Sequence, residues 1–484
     1  MGGGATMDAR GRAYFQDLSV APPPPGPEDE AACERRDGRT AANLRVLLIA
    51  EAANPEWASV PLEGWSHGRA ISALTDAHLV TQIRNRPAIL RAGVEEGTGF
   101  TAIDSESLAR PLYRLASFLR GGSGRGWTMV TAIGSVSYPY FEFLVWRQFQ
   151  ERLRRGEYDI VHRLTPLSPT APSPLAAKCA SVGIPFVLGP LNGGVPWPAQ
   201  FASVRRRERE WLSLVRGGYR VLPGFRSTRQ HAAAILVGSR DAFMDMPERY
   251  WRKCVYIPEN GIDPNRFSTP IDRPADRPLR VVFVGRLVPY KGADMLLEAV
   301  APLVRDSRLL LDIIGDGPQM PQLRAIVSRE RLEQGIRLVG WIPHKELQAR
   351  LVRSDVFAFP SIREFGGAVV LEAMALGLVP VVVAYGGPAE LVSARTGYAL
   401  PIGPREQIVR SFRDILTRLS SDMSELRAMG ARARARVLAQ FTWEAKARQV
   451  LEVYRWVRAQ RCEKPDFGMP LPDSAADPAA CTPH

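Results

Sequence analysis

Two separate runs of one alternation limit the folds open to this chain. In each run a short apolar, β-branched stretch is followed by an amphipathic segment, and the order then recurs without any internal sequence repeat. The first run begins at Leu44–Ala50 (LRVLLIA) and continues through strand candidates at Ile160–His162, Pro185–Leu188 and Ile235–Val237. The second starts afresh at Arg280–Val284 (RVVFV) and continues through Leu309–Ile314, Ile336–Val339, Val356–Phe359 and Val379–Val383. Strands alternating with helices imply parallel sheets covered on both faces, so the expected class is α/β. At 484 residues the chain exceeds one ordinary core and suits two such domains, joined near Pro258–Pro264. Ligands in these folds bind beyond the carboxyl ends of the strands, which puts the expected site in the cleft between the halves.

The flanks read differently. Residues 1–43, with PPPPGPEDE at Pro22–Glu30, and residues 463–484 have the composition of disordered tails. The expected division is therefore a first domain over 44–258, a second over 259–440 and a C-terminal helix over 441–462. The N-terminus lacks the apolar core of a signal peptide. The longest apolar run, Ala368–Tyr385, contains Glu372, Gly377 and Pro380, and reads as helix, turn and buried strand rather than a membrane span. Five scattered cysteines without a C-x-x-C pair argue against zinc and suggest a reducing, cytoplasmic setting. The formal net charge of +13 invites an anionic partner, but only six of the 63 basic residues are lysine, as a GC-rich coding sequence would also give. The clusters Arg152–Arg155 and Arg205–Arg209 are the more specific signal, because the second precedes an apolar edge at Trp211–Val215 suited to an anionic membrane face.

Two glycine-containing loops follow strands of the second run. In VGRLVPYKG (Val284–Gly292), Gly285 permits a tight exit from the strand, while Arg286 and Lys291 put two cations where a phosphate would sit. Each cation about 4 Å from a diphosphate contributes roughly 4 kcal/mol of attraction at an effective dielectric near 20, before desolvation. The bland alternative is a turn bearing two solvated charges. IIGDGP (Ile313–Pro318) lacks the G-x-G-x-x-G spacing of a dinucleotide site and reads as loop structure.

The stretch REFGGAVVLEAMA (Arg363–Ala375) places Gly366 and Gly367 at the start of a helix-favouring segment, with Glu364 before them and Glu372 within the helix. Amides at such a helix start, those of Ala368 and Val369, point at an anion unobstructed by side chains. Carboxylates suit vicinal hydroxyls, on a ribose or a hexose. Amides and cations for a diphosphate, with carboxylates for hydroxyls at either end, fit a nucleotide-sugar.

This E-x7-E arrangement is preceded by Pro360-Ser361 and followed by Ala373-Met374-Ala375-x-Gly377 and Tyr385–Glu390 (YGGPAE). It resembles the donor half of family-4 retaining glycosyltransferases of the GT-B fold. Pro258–Asp263 (PENGID), Gly285-Arg286 with Lys291-Gly292, and Thr396-Gly397-Tyr398 extend the resemblance, as does Phe441-Thr442-Trp443 with its following helix, which in that family returns to the first domain. The likeness runs over about residues 44–460 and is strongest over 255–400. It implies two Rossmann-like domains facing across a cleft, the first on the acceptor side and the second binding the nucleotide-sugar. The implied reaction is transfer of a hexose with retention, without a bound metal or other cofactor, to a saccharide or lipid-linked saccharide. Arg286 and Lys291 would neutralise the leaving diphosphate, Glu372 would hold the ribose, and Glu364 would lie beside the donor sugar with Gly285 and Gly366–Val369 adding backbone contacts.

In the first domain the resemblance assigns His162, at a strand end, to the donor sugar, although Arg163 and Leu164 follow where many relatives carry a second histidine. Gly64 and Trp65, expected at the end of a loop, would close over the donor phosphates. Gly193 and Gly194 in Gly189–Gly194 would flank the acceptor. His67, His78, His231 and His344 receive no role. Two other readings stay open: a nucleotide-sugar epimerase of the same fold, and a non-catalytic basic protein binding membrane or nucleic acid. The first needs acid/base groups that are sparse in the first domain, and the second needs a basic-aromatic module that is not apparent.

Overall fold

The structure is a computed structural model and describes residues 44–106, 127–193, 195–202, 223–267 and 277–468. It contains two all-parallel sheets. The first holds seven strands in the order β3-β2-β1-β4-β5-β6-β7: β1 Arg45–Ala50, β2 Asp76–Gln82, β3 Phe100–Ile103, β4 Ile160–Thr165, β5 Phe186–Leu191, β6 Ala234–Val237 and β7 Cys254–Tyr256. The second holds six in the order β10-β9-β8-β11-β12-β13: β8 Leu279–Val284, β9 Leu309–Ile314, β10 Ile336–Gly340, β11 Val356–Phe359, β12 Val379–Val383 and β13 Tyr398–Leu400. In both, the first strand of the half lies between its second and its fourth. Strand order therefore reverses at β1/β4 and at β8/β11, the two places where such sheets open a crevice.

The same local chemistry sets both central pairs. Asp159, just before β4, accepts from the backbone N–H of Arg45 at 3.0 Å and from its guanidinium at 3.0 and 3.1 Å. Asp355, just before β11, accepts from the N–H of Arg280 at 2.9 Å and from the guanidinium of Arg277 at 2.8 Å. Each carboxylate pins the start of a central strand to its neighbour and so fixes where the opposite, carboxyl ends of the pair emerge. Strands β1, β11 and β12 are apolar and almost wholly buried because helices cover both faces. The apolar run Ala368–Tyr385 resolves into helix Ala368–Ala375, a turn and β12.

The last helix, Trp443–Val457, starts where the Thr442 side chain accepts from the N–H of Ala445 at 3.1 Å, a cap contributing about 1 kcal/mol. Its Ala447, Val450, Val453 and Tyr454 are buried in the core of the first sheet, against helix Val60–Ser72. In the opposite sense, Trp197 and Phe201 of the first half are buried in the core of the second. Among the described residues no helix is long and apolar enough to cross a membrane. Among the described residues Cys179 and Cys254 are buried free thiols.

Candidate active site

The β8/β11 crevice gathers most of the residues marked in the sequence. Gly285 leaves β8 with its N–H bonded to the carbonyl of Ile314 at 3.0 Å, and Leu287 N–H bonds to Asp316 at 2.9 Å. The IIGDGP loop thus braces the VGRLVPYKG loop from behind. Arg286 is exposed at the crevice mouth. Lys291 ends the short turn Pro289–Lys291, and its ammonium donates to the Glu364 carboxylate while lying 5.1 Å from the ring centre of Phe359. Burial, with Arg286 and Arg363 nearby, pulls this ammonium down to about 7. A cation from the end of β8 and a carboxylate from the end of β11 therefore meet across the crevice.

Gly366 is confined by the joint between the halves. A Cβ on it would fall 1.8 Å from Asn260 Nδ2 and 2.0 Å from Glu259 Oε1, distances no side chain can occupy. Gly367 adopts φ 73° as the cap of helix Ala368–Ala375, whose first turn carries no acidic residue to offset its positive end. Ala368 and Val369 hold the first two positions of that helix, where amides lack intrahelical partners. Glu372, one turn in, is half-buried, and its Oε1 lies 2.7 Å from His344 Nε2. His344 Nδ1 is in turn 2.7 Å from Arg266 Nη2.

In the first half, Gly64 lines a recess with Glu259, the residue that abuts Gly366. Gly64 and Trp65 lie inside helix Val60–Ser72 rather than at the end of a loop, because Pro61 is compatible with the first helical turn and the helix begins there. A Cβ on Gly64 would sit 2.2 Å from the Ala52 carbonyl, so this glycine lets the helix press on the segment after β1. Trp65 lines a separate hollow of about 620 Å³ with Arg69, Ile262, Asp263, Trp443 and Arg448. His162 is fully buried. Its Nε2 is 2.6 Å from the Gly189 carbonyl, which only accepts, so Nε2 carries the proton and Nδ1 accepts from the Tyr454 hydroxyl at 2.6 Å. Burial pulls this imidazole down to about 4. Both ring nitrogens are thus engaged within the protein, and the ring locks the last helix to the first sheet instead of facing the cleft.

Gly193 has φ 125° and its N–H bonds to the Asn192 side chain at 2.7 Å; Gly194 lies outside the described residues. The segment that follows crosses the cleft. Val195 O accepts from Arg363 Nε at 3.2 Å, Pro196 O from the Tyr385 hydroxyl at 3.0 Å, and the Trp197 ring lies 4.9 Å from the Arg363 guanidinium. At the β1/β4 crevice, Glu63, His67 and Glu259 line a narrow recess, each with a buried polar atom lacking a protein partner. Burial and the neighbouring Glu259 push Glu63 up to about 8. Sequence reading passed over these three, and over His344, since each acquires its neighbours only through folding. Pro258–Asn260 within the PENGID motif was the sole sequence signal for any of them.

A family model described as glycosyl transferases group 1 matches residues 266–436. The chain is 29% identical over 207 residues to the amylovoran biosynthesis glycosyltransferase AmsK of Erwinia amylovora, an alignment covering 41% of this chain and 50% of that protein. It therefore spans about half the length of that relative. It is 30% identical over 316 residues to the alpha-maltose-1-phosphate synthase of Mycolicibacterium smegmatis, covering 59% of this chain and 77% of that one. Among solved structures, Anabaena HepE in complex with UDP and glucose superposes with a TM-score of 0.52 at 16% identity, over 85% of this chain and 99% of that one. Two parallel sheets with strand order reversing beside a shared cleft are the GT-B arrangement. With its second half matched by the family model and most of its length aligned to a relative, this chain belongs to the group 1 glycosyl transferases.

Proposed function

We propose that this protein moves a hexose, with retention and without a metal, from a nucleoside-diphosphate-sugar to a saccharide or lipid-linked saccharide during polysaccharide assembly. The observation that carries this reading is the meeting of Lys291 with Glu364 in the β8/β11 crevice. In the free protein each is the other's counter-ion. An arriving diphosphate competes for the ammonium, which frees the carboxylate to accept from hydroxyls of the donor sugar. As the bond between the anomeric carbon and the phosphate oxygen breaks, its electrons leave on the phosphate, the acceptor hydroxyl oxygen bonds to that carbon from the same face, and the hydroxyl proton passes to the departing phosphate. Arg286, Lys291 and the first amides of helix Ala368–Ala375 offset that charge without reorganising. Glu372 holds the ribose. His162 serves as a positioning residue, and the segment Val195–Phe201 brings the acceptor side against the donor loop.

The amylovoran relative supports a polysaccharide setting, and the UDP and glucose in the HepE complex support a nucleotide-sugar donor. For a lipid-linked acceptor, the described surface best suited to an anionic membrane lies on helix Trp127–Arg154. There the exposed Phe143 and the ring of Trp146 are approached by Arg147, Arg154 and Lys178 at 5.4–6.0 Å. The cluster Arg205–Arg209 lies outside the described residues. A thermal-shift panel of UDP-, GDP- and ADP-sugars tests the donor reading. At about 100 times its dissociation constant the right donor stabilises the fold by about 2.7 kcal/mol, and no shift from any of them rejects it. Turnover that chelator abolishes and magnesium restores rejects the metal-free mechanism.

A further inference from the structure

The chain Arg266–His344–Glu372 crosses from the segment after the domain joint to the helix behind the donor loop. A guanidinium has only donors, so the contact at 2.7 Å makes His344 Nδ1 an acceptor and leaves the ring proton on Nε2. Nε2–H then donates to Glu372 Oε1 at 2.7 Å. The tautomer is thus dictated by Arg266, and the direction of the hydrogen bond to the carboxylate follows from it. His344 opens helix His344–Leu351 directly after Pro343, and its ring lies 6.1 Å from that of the buried Phe267, which limits its swing. Its side chain is 41% exposed whereas that of Glu372 is 13% exposed. An exposed hydrogen-bonded chain adds little to stability, so its effect falls on the direction in which the carboxylate points. With one lone pair of Oε1 taken, the other and both on Oε2 remain, enough to accept from two adjacent hydroxyls.

We propose that His344, its tautomer set by Arg266, is a positioning residue that aims Glu372 at the vicinal hydroxyls of the donor's ribose and so makes the site select ribonucleotides over deoxyribonucleotides. The proposal rests on the reading of Glu372 as the ribose ligand. Selection arises because a carboxylate fixed for two hydroxyls loses a bond to a sugar with one, whereas a freely rotating carboxylate adapts to either.

Calorimetry with UDP, GDP and ADP, each beside its 2′-deoxy counterpart, tests it on the full chain and on H344A, H344Q and E372A. Wild type is expected to bind one ribonucleotide about tenfold or more tighter than its deoxy form. In H344A that ratio falls to about threefold through weaker ribonucleotide binding, with deoxynucleotide affinity and melting temperature nearly unchanged. In H344Q, whose amide N–H replaces Nε2–H, most of the ratio returns. An H344A protein that discriminates as wild type does, while E372A does not, overturns the role of His344 and leaves the ribose assignment standing. Full discrimination in E372A removes the ribose assignment itself, and the proposal with it.

Discussion

The two halves open a crevice at the same topological point and fill it in opposite ways. At β8/β11 the strand ends carry Arg286, Lys291 and Glu364 on loops backed by glycine turns, with the Lys291 ammonium against the Glu364 carboxylate and Arg286 exposed beside them. At β1/β4 the helix Val60–Ser72 presses Gly64 onto Ala52, His162 faces the last helix, and Glu63, His67 and Glu259 lie in a recess too narrow for a ligand. Identical strand order therefore does not make two equivalent sites. What decides is whether the segment after the first strand of the half stays a loop or is pressed shut by a helix.

The largest test of this contrast pairs Lys291→Ala with His162→Ala. The first removes a cation aimed at the leaving group and should lower turnover about 100- to 1000-fold at little cost in melting temperature. The second leaves the Tyr454 hydroxyl and the Gly189 carbonyl without their buried partner and should cost about 2–4 kcal/mol of stability. Turnover per folded molecule should fall far less than with Lys291→Ala. Equal kinetic losses in the two variants would mean that His162 reaches the substrate after all. Next comes Gly366→Ala. The added methyl must displace Asn260 and Glu259 at the joint, moving the donor loop by something near an ångström, which is expected to lower turnover about 100-fold. Unchanged kinetics would show that the joint relaxes independently of the loop.

A smaller effect separates the charges of the open crevice from those of the closed one. Burial beside two arginines holds Lys291 near 7 in the free protein, and a bound diphosphate favours its protonated form. Nucleotide affinity should therefore be highest below about pH 7 and weaken by up to about tenfold per unit above it, until the value in the complex is reached. Lys291→Arg should flatten the profile. Calorimetry across pH 6.5–9 in buffers of different ionisation enthalpy, which also counts protons taken up, checks this; a flat wild-type profile would place Lys291 already charged throughout.

Legibility in the sequence divided along the same line. Strands β9, β11 and β12 appear at the residues their apolar runs indicate, and Arg286, Lys291, Glu364 and the Gly366–Gly367 pair converge because strand–loop–helix order alone carries them to one crevice. Strands β2 (DAHLVTQ) and β3 (FTAI) escaped, since a histidine, a glutamine and threonines dilute their apolar pattern. His162 read as a strand-end residue, but β4 runs on to Thr165, so it lies inside the strand, and its partner Tyr454 is 292 residues away in sequence, beyond any local signal. His344 was invisible because its partner Glu372 lies 28 residues on, beyond any local spacing rule. Residues whose places follow from local order were readable, and residues whose surroundings depend on which face a distant helix covers were not.

The mildest test concerns a tie that holds the halves together away from the chemistry. Glu390, on helix Gly387–Leu391 of the second half, accepts from the N–H of Arg240 at 2.9 and 3.0 Å and from the Tyr256 hydroxyl, both in the first half. Burial pushes this carboxyl up to about 8 against an ordinary 4.5, with the Tyr256 and Arg240 bonds opposing the rise. A group raised in this way binds a proton on folding. Its contribution is whole below about pH 4.5, declines as pH rises and is gone above about 8. Glu390→Gln keeps the neutral shape, with the amide oxygen accepting from Arg240 and the amide N–H donating to Tyr256. Below about pH 4.5, where the carboxyl is neutral in both states, its melting temperature should match wild type within about 2 °C. Between pH 6 and 8 wild type should lose stability more steeply than the variant, and Glu63, raised for similar reasons, should leave a residual slope in both. Parallel slopes in thermal melts across that range would mean that Glu390 is ionised in the folded protein, making the tie between the halves a charged contact and not a neutral one.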